Sequence, residues 1–204
     1  MNTVAIVDYG MCNLGSVRRA VEECGGHPLV TSDPRDLEKA IAIILPGVGA
    51  FPAGMQNLHQ RGLVDVLHEQ VIERKIPFLG ICLGMQLMAS KGWEVEETQG
   101  LGWIPGEVKR LQSNGQQRVP HVGWEGVGHV RVSPLFAGIS SGKDFYFVHS
   151  YHLECRERQD MLACAEYCGG FTAAIAHDNL YGVQFHPEKS QKSGLQLLRN
   201  FLSL

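Results

Sequence analysis

Ile76-Pro77-Phe78-Leu79-Gly80-Ile81-Cys82-Leu83-Gly84-Met85-Gln86-Leu87-Met88-Ala89 passes from a short apolar run opened by proline into a segment that reads as a helix. The stretch predicts a strand, a sharp turn at Cys82 and a helix through Ala89. In a Gly-x-nucleophile-x-Gly turn the two glycines let helix and neighbouring strand approach closely, because a Cβ at either place would collide with the strained backbone of the central residue. Cys82 then stands exposed at a helix N-terminus. The reactive species of a cysteine is its thiolate, and unpaired N–H groups with the helix dipole favour that negative charge.

More than a hundred residues later Leu180-Tyr181-Gly182-Val183-Gln184-Phe185 reads as a second apolar strand, with His186-Pro187-Glu188 at its end. Pro187 biases His186 toward extended backbone, where residues i and i+2 project to one side, so Glu188 is placed to orient the imidazole. A cysteine after an apolar strand, or a His-Pro-Glu tripeptide, is an ordinary feature by itself. Their conjunction predicts a nucleophilic triad of Cys82, His186 and Glu188. Leu45-Pro46-Gly47-Val48-Gly49 follows the apolar run Ile41 to Leu45 and predicts a strand ending in a glycine-flanked loop. Acyl transfer needs backbone donors where the oxyanion forms, and the N–H groups of Val48 or Gly49 with that of Leu83 are the candidates. Gln86, four residues after Cys82, shares the face of the nucleophile on the expected helix and is placed to bond a polar ligand.

Further strands are expected at Val4 to Tyr9, Leu29 to Thr31, Ile41 to Leu45 and Phe78 to Ile81, separated by amphipathic stretches at Leu14 to Cys24 and Leu58 to Glu73. This alternation predicts an α/β fold, a mainly parallel central sheet with helices on both faces. No Gly-x-Gly-x-x-Gly follows the first strand, which removes the usual dinucleotide signal. Beyond Trp103 the short runs Val108 to Leu111, Val127 to Val132, Phe145 to Val148, Leu162 to Glu166 and Thr172 to Ala176 predict an antiparallel β extension in the second half. Leu195, Leu198 and Leu202 predict a closing helix from Ser193 to Leu202. The site is expected at the carboxyl ends of the parallel strands.

With 204 residues and 44% hydrophobic content, and no repeat or linker, the chain reads as one domain spanning residues 1–204. A net charge of −3 without a basic stripe argues against nucleic acid or a membrane surface as a partner. The opening Met1 to Asp8 lacks a basic leader region, no run reaches membrane-spanning length, and a cytoplasmic protein is expected. In that compartment the six cysteines are expected as free thiols, with Cys12, Cys24, Cys155, Cys164 and Cys168 structural. The cysteines form no Cys-x-x-Cys pair, and the single His-x-x-His spacing among the nine histidines, His149 with His152, has no organised ligands beside it, so no metal or cofactor is expected.

Pro46-Gly47-Val48-Gly49, Gly80 to Gln86 and Gly182 to Glu188 resemble, in order, the oxyanion loop, nucleophile elbow and His/Glu segment of the class I, or triad-type, glutamine amidotransferases. Val7-Asp8-Tyr9-Gly10-Met11-Cys12-Asn13-Leu14, Pro120-His121-Val122-Gly123-Trp124, Phe145 to Tyr151 and Phe171-Thr172-Ala173-Ala174 are similar to the subgroup of glutaminase subunits that serve imidazole glycerol phosphate synthesis in histidine biosynthesis. The resemblance covers essentially the whole chain. It implies glutamine as substrate, hydrolysed to glutamate and ammonia through a Cys82 thioester. It further implies a glutamine pocket using Gly49, Gln86 and the backbone of Ser150 and Tyr151. The implied partner is a (β/α)8-barrel cyclase forming a heterodimer, contacted at Pro120, His121, Val122, Gly123, Trp124, Lys189 and Ser190. The resemblance also implies low glutaminase activity until that partner binds its ligand.

Glu125 departs from the subgroup, which usually has asparagine after Gly-Trp. That departure keeps open a paralogous glutaminase serving another acceptor, such as a surface-sugar aminating enzyme. The remaining alternatives are a γ-glutamyl or peptide hydrolase of the same fold and a non-catalytic binding subunit.

Overall fold

The computed structural model describes residues 3–113, 115 and 117–204; Met1 and Asn2, in the expected opening run, lie outside them. The strands are β1 (Thr3–Val7), β2 (His27–Thr31), β3 (Ala42–Gly47), β4 (Phe78–Cys82), β5 (Ala89–Gly92), β6 (Thr98–Gln99) and β7 (Ile104–Arg110). They continue with β8 (His121–His129), β9 (Lys143–His149), β10 (Tyr151–Cys155), β11 (Met161–Ala165), β12 (Phe171–His177) and β13 (Leu180–Val183). The helices are α1 (Leu14–Glu23), α2 (Pro34–Leu37), α3 (Phe51–Gln60), α4 (Leu63–His68), α5 (Leu83–Leu87) and α6 (Gln191–Leu202).

Nine strands form one sheet in the order β2-β1-β3-β4-β13-β12-β11-β8-β9. The five from β2 to β13 pair parallel, and from β13 outward every pairing is antiparallel. The expected α/β sheet with an antiparallel extension is therefore present, the extension matching the parallel part in number of pairings. A second sheet, β10-β7-β5-β6, was not expected. Its strands β5 and β6 read Ala-Ser-Lys-Gly and Thr-Gln, too short and polar to carry a hydrophobic period.

The parallel strands are apolar on both faces because both are covered. Val4, Ile6, Ala42, Ile44, Leu79 and Ile81 pack toward α1 and α6, through Val17, Ala20 and Val21 on one and Leu197, Leu198 and Phe201 on the other. The alternate residues Ala5, Val7, Ile43, Leu45 and Phe78 pack toward α3, α4 and α5, and the second sheet joins that face through Ile104, Val108 and Leu153. Each fully buried aliphatic side chain of this kind contributes about 1.5–3 kcal/mol.

Three local expectations need correction. Leu58 to Glu73 is not one helix: Gly62 takes a left-handed conformation at φ 64° and splits it into α3 and α4, and Glu69–Glu73 closes as a π turn. The helix after Cys82 ends at Leu87, since Met88 N–H bonds Met85 O and Ala89 begins β5. With one and a half turns, α5 has too little aligned backbone for a full helix dipole to act on Cys82. Of the run expected at Val127 to Val132, Val127 to His129 end the longer strand β8, which pairs with β9 from His121↔His149 to Val127↔Lys143, and Val130 to Val132 lie beyond it.

Candidate active site

Register brings the site together. Gly47 pairs with Cys82 at the carboxyl ends of β3 and β4, and Val183 pairs with Ile81 on the other side of β4. Residues 48–49, the nucleophile elbow and residues 184–188 thus leave three adjacent parallel strands at one rim. The elbow itself is strained, with Cys82 at φ 54°, a region that costs a non-glycine residue of order 1–3 kcal/mol. Its geometry depends on its glycines. A Cβ on Gly80 would stand 2.7 Å from Gly84 and Met85 backbone atoms, and one on Gly84 would overlap the Leu45 carbonyl oxygen.

His186 is held from three sides. Its N–H donates to Tyr146 O at 2.9 Å, its carbonyl accepts from Ser190 Oγ at 2.7 Å, and the preceding Phe185 stacks on Phe145 at 4.1 Å between centroids. Its Nδ1 faces Glu188 Oε1 at 2.8 Å, with both side chains almost wholly buried. The two residues do not share a side by strand alternation as expected, because Pro187–Lys189 is a 3-10 turn that carries Glu188 back under the ring.

Nε2 of His186 is buried without a partner of good hydrogen-bond geometry, and it is turned toward Cys82. Burial opposes charge on this ring, but hydrogen bonding and charge attraction to the Cys82 sulfur and the Glu188 carboxylate outweigh it and lift His186 to about 10. The imidazolium is accordingly the favoured form beside the sulfur. Loose contacts of this kind tighten when substrate is bound.

A cleft of about 370 Å³ opens over the sulfur, lined among others by Val48, Gly49, Cys82, Leu83, Gln86 and Tyr151. The expected pocket residues, Ser150 included, therefore stand together. The expected oxyanion donors need one correction: Val48 N–H donates to Met11 O at 2.8 Å and is committed away from the cleft.

Two further lining residues, Glu94 and His149, escaped the sequence reading. Glu94 Oε2 accepts from Phe51 N at 2.8 Å and so caps α3, whose own N-cap residue Ala50 has no side-chain acceptor. Nothing in the linear pattern links positions 51 and 94. Gln184 was also missed; its Nε2 lies 3.6 Å from Cys82 Sγ.

The residues expected at a partner divide into two groups. Val122 and Trp124 are exposed at 58% and 46%, and the Lys189 ammonium lies 5.7 Å from the Tyr146 ring centre, beside Trp124. His121 and Ser190 face inward instead. His121 is stacked on Tyr167 at 3.8 Å, and Ser190 Oγ is occupied by Tyr146 N and His186 O.

Burial holds two histidines of the site neutral, His121 at about 4 and His149 at about 3. Both lie below the usual unfolded value near 6.5, so their contribution to stability is present above pH 6.5 and is lost as the pH falls toward 4. His186 is raised, so its contribution is essentially complete below pH 6.5 and changes little across this window. Between pH 6.5 and 5 the pair is expected to remove about 3 kcal/mol of stability, read as a falling urea midpoint. A His121→Phe variant should lose about half of that dependence, and an unchanged slope would contradict the assignment.

With the geometry in place, comparison with known proteins decides the family. Residues 5–204 match the family described as Glutamine amidotransferase class-I. The chain belongs to the class-I glutamine amidotransferase family. The imidazole glycerol phosphate synthase subunit HisH of Moorella thermoacetica is 49% identical over 201 residues, covering 98% of this chain and 94% of that protein. The subunit of the same name from Caulobacter vibrioides is 46% identical over 209 residues, covering 99% and 98%. In three dimensions a glutamine amidotransferase from Thermotoga maritima superposes with a TM-score of 0.68 at 19% identity, covering 94% of this chain and 78% of that one. That likeness establishes the amidotransferase fold. Among the described residues no group of three potential ligands is placed to hold a metal, and no helix is long and apolar enough to cross a membrane.

Proposed function

We propose that this chain is the glutaminase subunit of an imidazole glycerol phosphate synthase, releasing ammonia from glutamine for a cyclase partner in histidine biosynthesis. The observation that carries the chemistry is the strained Cys82 at φ 54° in a cleft beside the buried pair His186–Glu188, 2.8 Å apart. High identity to proteins named HisH over nearly the whole chain supports the acceptor.

In the proposed cycle the Cys82 thiolate attacks the side-chain amide carbon of glutamine, and His186 gives its proton to the departing nitrogen, which leaves as ammonia. His186, now neutral, takes a proton from water as that water attacks the thioester. Glutamate and the thiolate are released. Glu188 holds the ring by accepting from Nδ1–H throughout. Glu94, lining the same cleft, supplies a negative charge suited to the ammonium of an amino-acid substrate.

The Val48 amide gives this cycle a brake. With Val48 rather than Gly49 taken as the loop donor, its bond to Met11 O leaves the oxyanion one donor short, and loss of one such donor lowers kcat by roughly 10²–10³-fold. The isolated chain is therefore expected to release ammonia slowly. Addition of the cyclase partner with its ligand should accelerate it about 10²-fold or more as the loop turns. Exposed Val122 and Trp124 with Lys189 form the proposed contact face.

The experiment is co-purification from the native cell followed by assay of the complex with glutamine. Recovery of a barrel cyclase and its activation of ammonia release support the reading. Recovery of a different synthase would reassign the acceptor, and rapid turnover by the isolated chain would remove the brake.

A further inference from the structure

Between the glutamine cleft and the nucleophile runs an unbroken series of hydrogen bonds. It begins at the carbonyl of Tyr151, which can only accept. His149 Nδ1 lies 2.9 Å from that oxygen, so Nδ1 carries the ring proton and Nε2 is the acceptor in the neutral ring. His121 Nδ1, 3.3 Å from His149 Nε2, must then be a donor. The second lone pair of Tyr151 O takes Gln86 Nε2 at 2.8 Å.

The same logic runs onward to the sulfur. Because the Gln86 nitrogen is fixed at Tyr151 O, its other N–H faces Gln184 Oε1 at 2.9 Å. Because the Gln184 oxygen is fixed there, its nitrogen must face Cys82 Sγ, at 3.6 Å. Gln86 and Gln184 are both buried, at 4% and 0% exposure. Neither amide can be reversed without setting two donors or two acceptors against each other, and both side chains are too buried for water to relieve the mismatch. A primary amide facing a sulfur could present either end. Here the backbone carbonyl of a pocket residue decides that it presents N–H.

We propose that Gln184 is a further catalytic residue, an N–H donor that holds the Cys82 sulfur as an aimed thiolate. Gln86 and the Tyr151 carbonyl set the direction of its amide, and His149 and His121 are positioning residues that pin the carbonyl. The proposal rests on Cys82 being the glutaminase nucleophile and adds a second group, besides His186, that steadies its charge. It also ties substrate to nucleophile, since a ligand that displaces the Tyr151 segment alters the chain ending on sulfur. Gln184 lies two residues before His186 at the end of β13.

The test is alkylation of Cys82 by iodoacetamide, which needs no glutamine pocket, in the full-length protein. Gln184→Met keeps length and removes the donor. Its Cys82 alkylation at pH 7 is expected to fall about tenfold and to recover as the pH is raised, a recovery that a merely structural loss would not give. Gln184→Glu, which places an acceptor against the sulfur, should fall further. Wild-type rates at pH 7 in a folded Gln184→Met protein, or a loss that persists at high pH, would overturn the proposal. If Gln184→Met does not fold, Gln86→Met carries the same test, because it frees the Gln184 amide to turn; an unchanged rate there is equally fatal. A glutamine-like chloroketone in parallel separates the two readings. Failure of the wild-type sulfur to react with it sinks the glutaminase assignment, while the iodoacetamide comparison still decides the role of Gln184.

Discussion

Cys82→Ala is expected to lower ammonia release from glutamine by about 10⁴-fold or more, because no other group can take the place of the sulfur in the covalent step. The adjacent thiol is Cys12, and it is a poor substitute: burial pushes it up to about 11, and its Sγ is tied to Pro46 O at 3.2 Å. Cys155 is pushed by burial up to about 12. The fold should survive, since removing one sulfur atom from a site with 6% exposure costs about 1 kcal/mol. The measurement is steady-state ammonia production beside a urea unfolding curve. Full-speed turnover by the folded variant would place the chemistry elsewhere.

Gly84→Ala is expected to strike stability and activity together. Its Cβ would overlap the Leu45 carbonyl oxygen and lie 2.8 Å from the Leu45 carbonyl carbon. Leu45 pairs with Gly80 in the centre of the parallel sheet, two register steps from the elbow cysteine. Neither neighbour can move without parting β3 from α5, so a loss of about 3–5 kcal/mol is expected, beyond ordinary overpacking. Gly25→Ala makes a fair comparison. Its Cβ would meet nothing within 4 Å, so only the strain of φ +85° remains, worth about 1 kcal/mol. Equal unfolding midpoints for the two variants would show that the close approach under the elbow is not tight.

The parallel half of this fold was legible because burial on both faces forces Ile43, Ile44 and Leu45, or Phe78 and Leu79, to be apolar without interruption. The elbow was legible for a related reason: strain and close packing allow few residue types, so Gly80, Cys82 and Gly84 write the turn into the chain. The second sheet left no such mark. Part of its cohesion comes from charged pairs that any exposed segment could carry, such as Lys109 with Glu154 at 2.8 Å and Lys91 with Glu97 at 3.3 Å.

The site shows the same division. Cys82, His186 and Glu188 announce themselves by residue type and order. Glu94 enters from a loop with no sequence relation to α3, and the committed Val48 amide depends on Met11, from a different loop. His121 belongs to a motif that resembles a partner contact, yet β8 pairing with β9 turns its ring inward against Tyr167 and His149. Gln184 could have been found. It alternates with Gly182 and His186 along the extended run, and a polar residue on that face just before the base had no reason to be inert.

The most direct measurement of the central claim is the mass and peptide map of the wild-type protein after exposure to an electrophilic glutamine analogue such as a diazo-oxo-norleucine. Adjacency of Cys82, His186 and the amino-acid cleft predicts one adduct per chain, on Cys82, suppressed by excess glutamine and absent from Cys82→Ala. An adduct spread over the other five cysteines, or none at position 82 while glutamine is still hydrolysed, would contradict it.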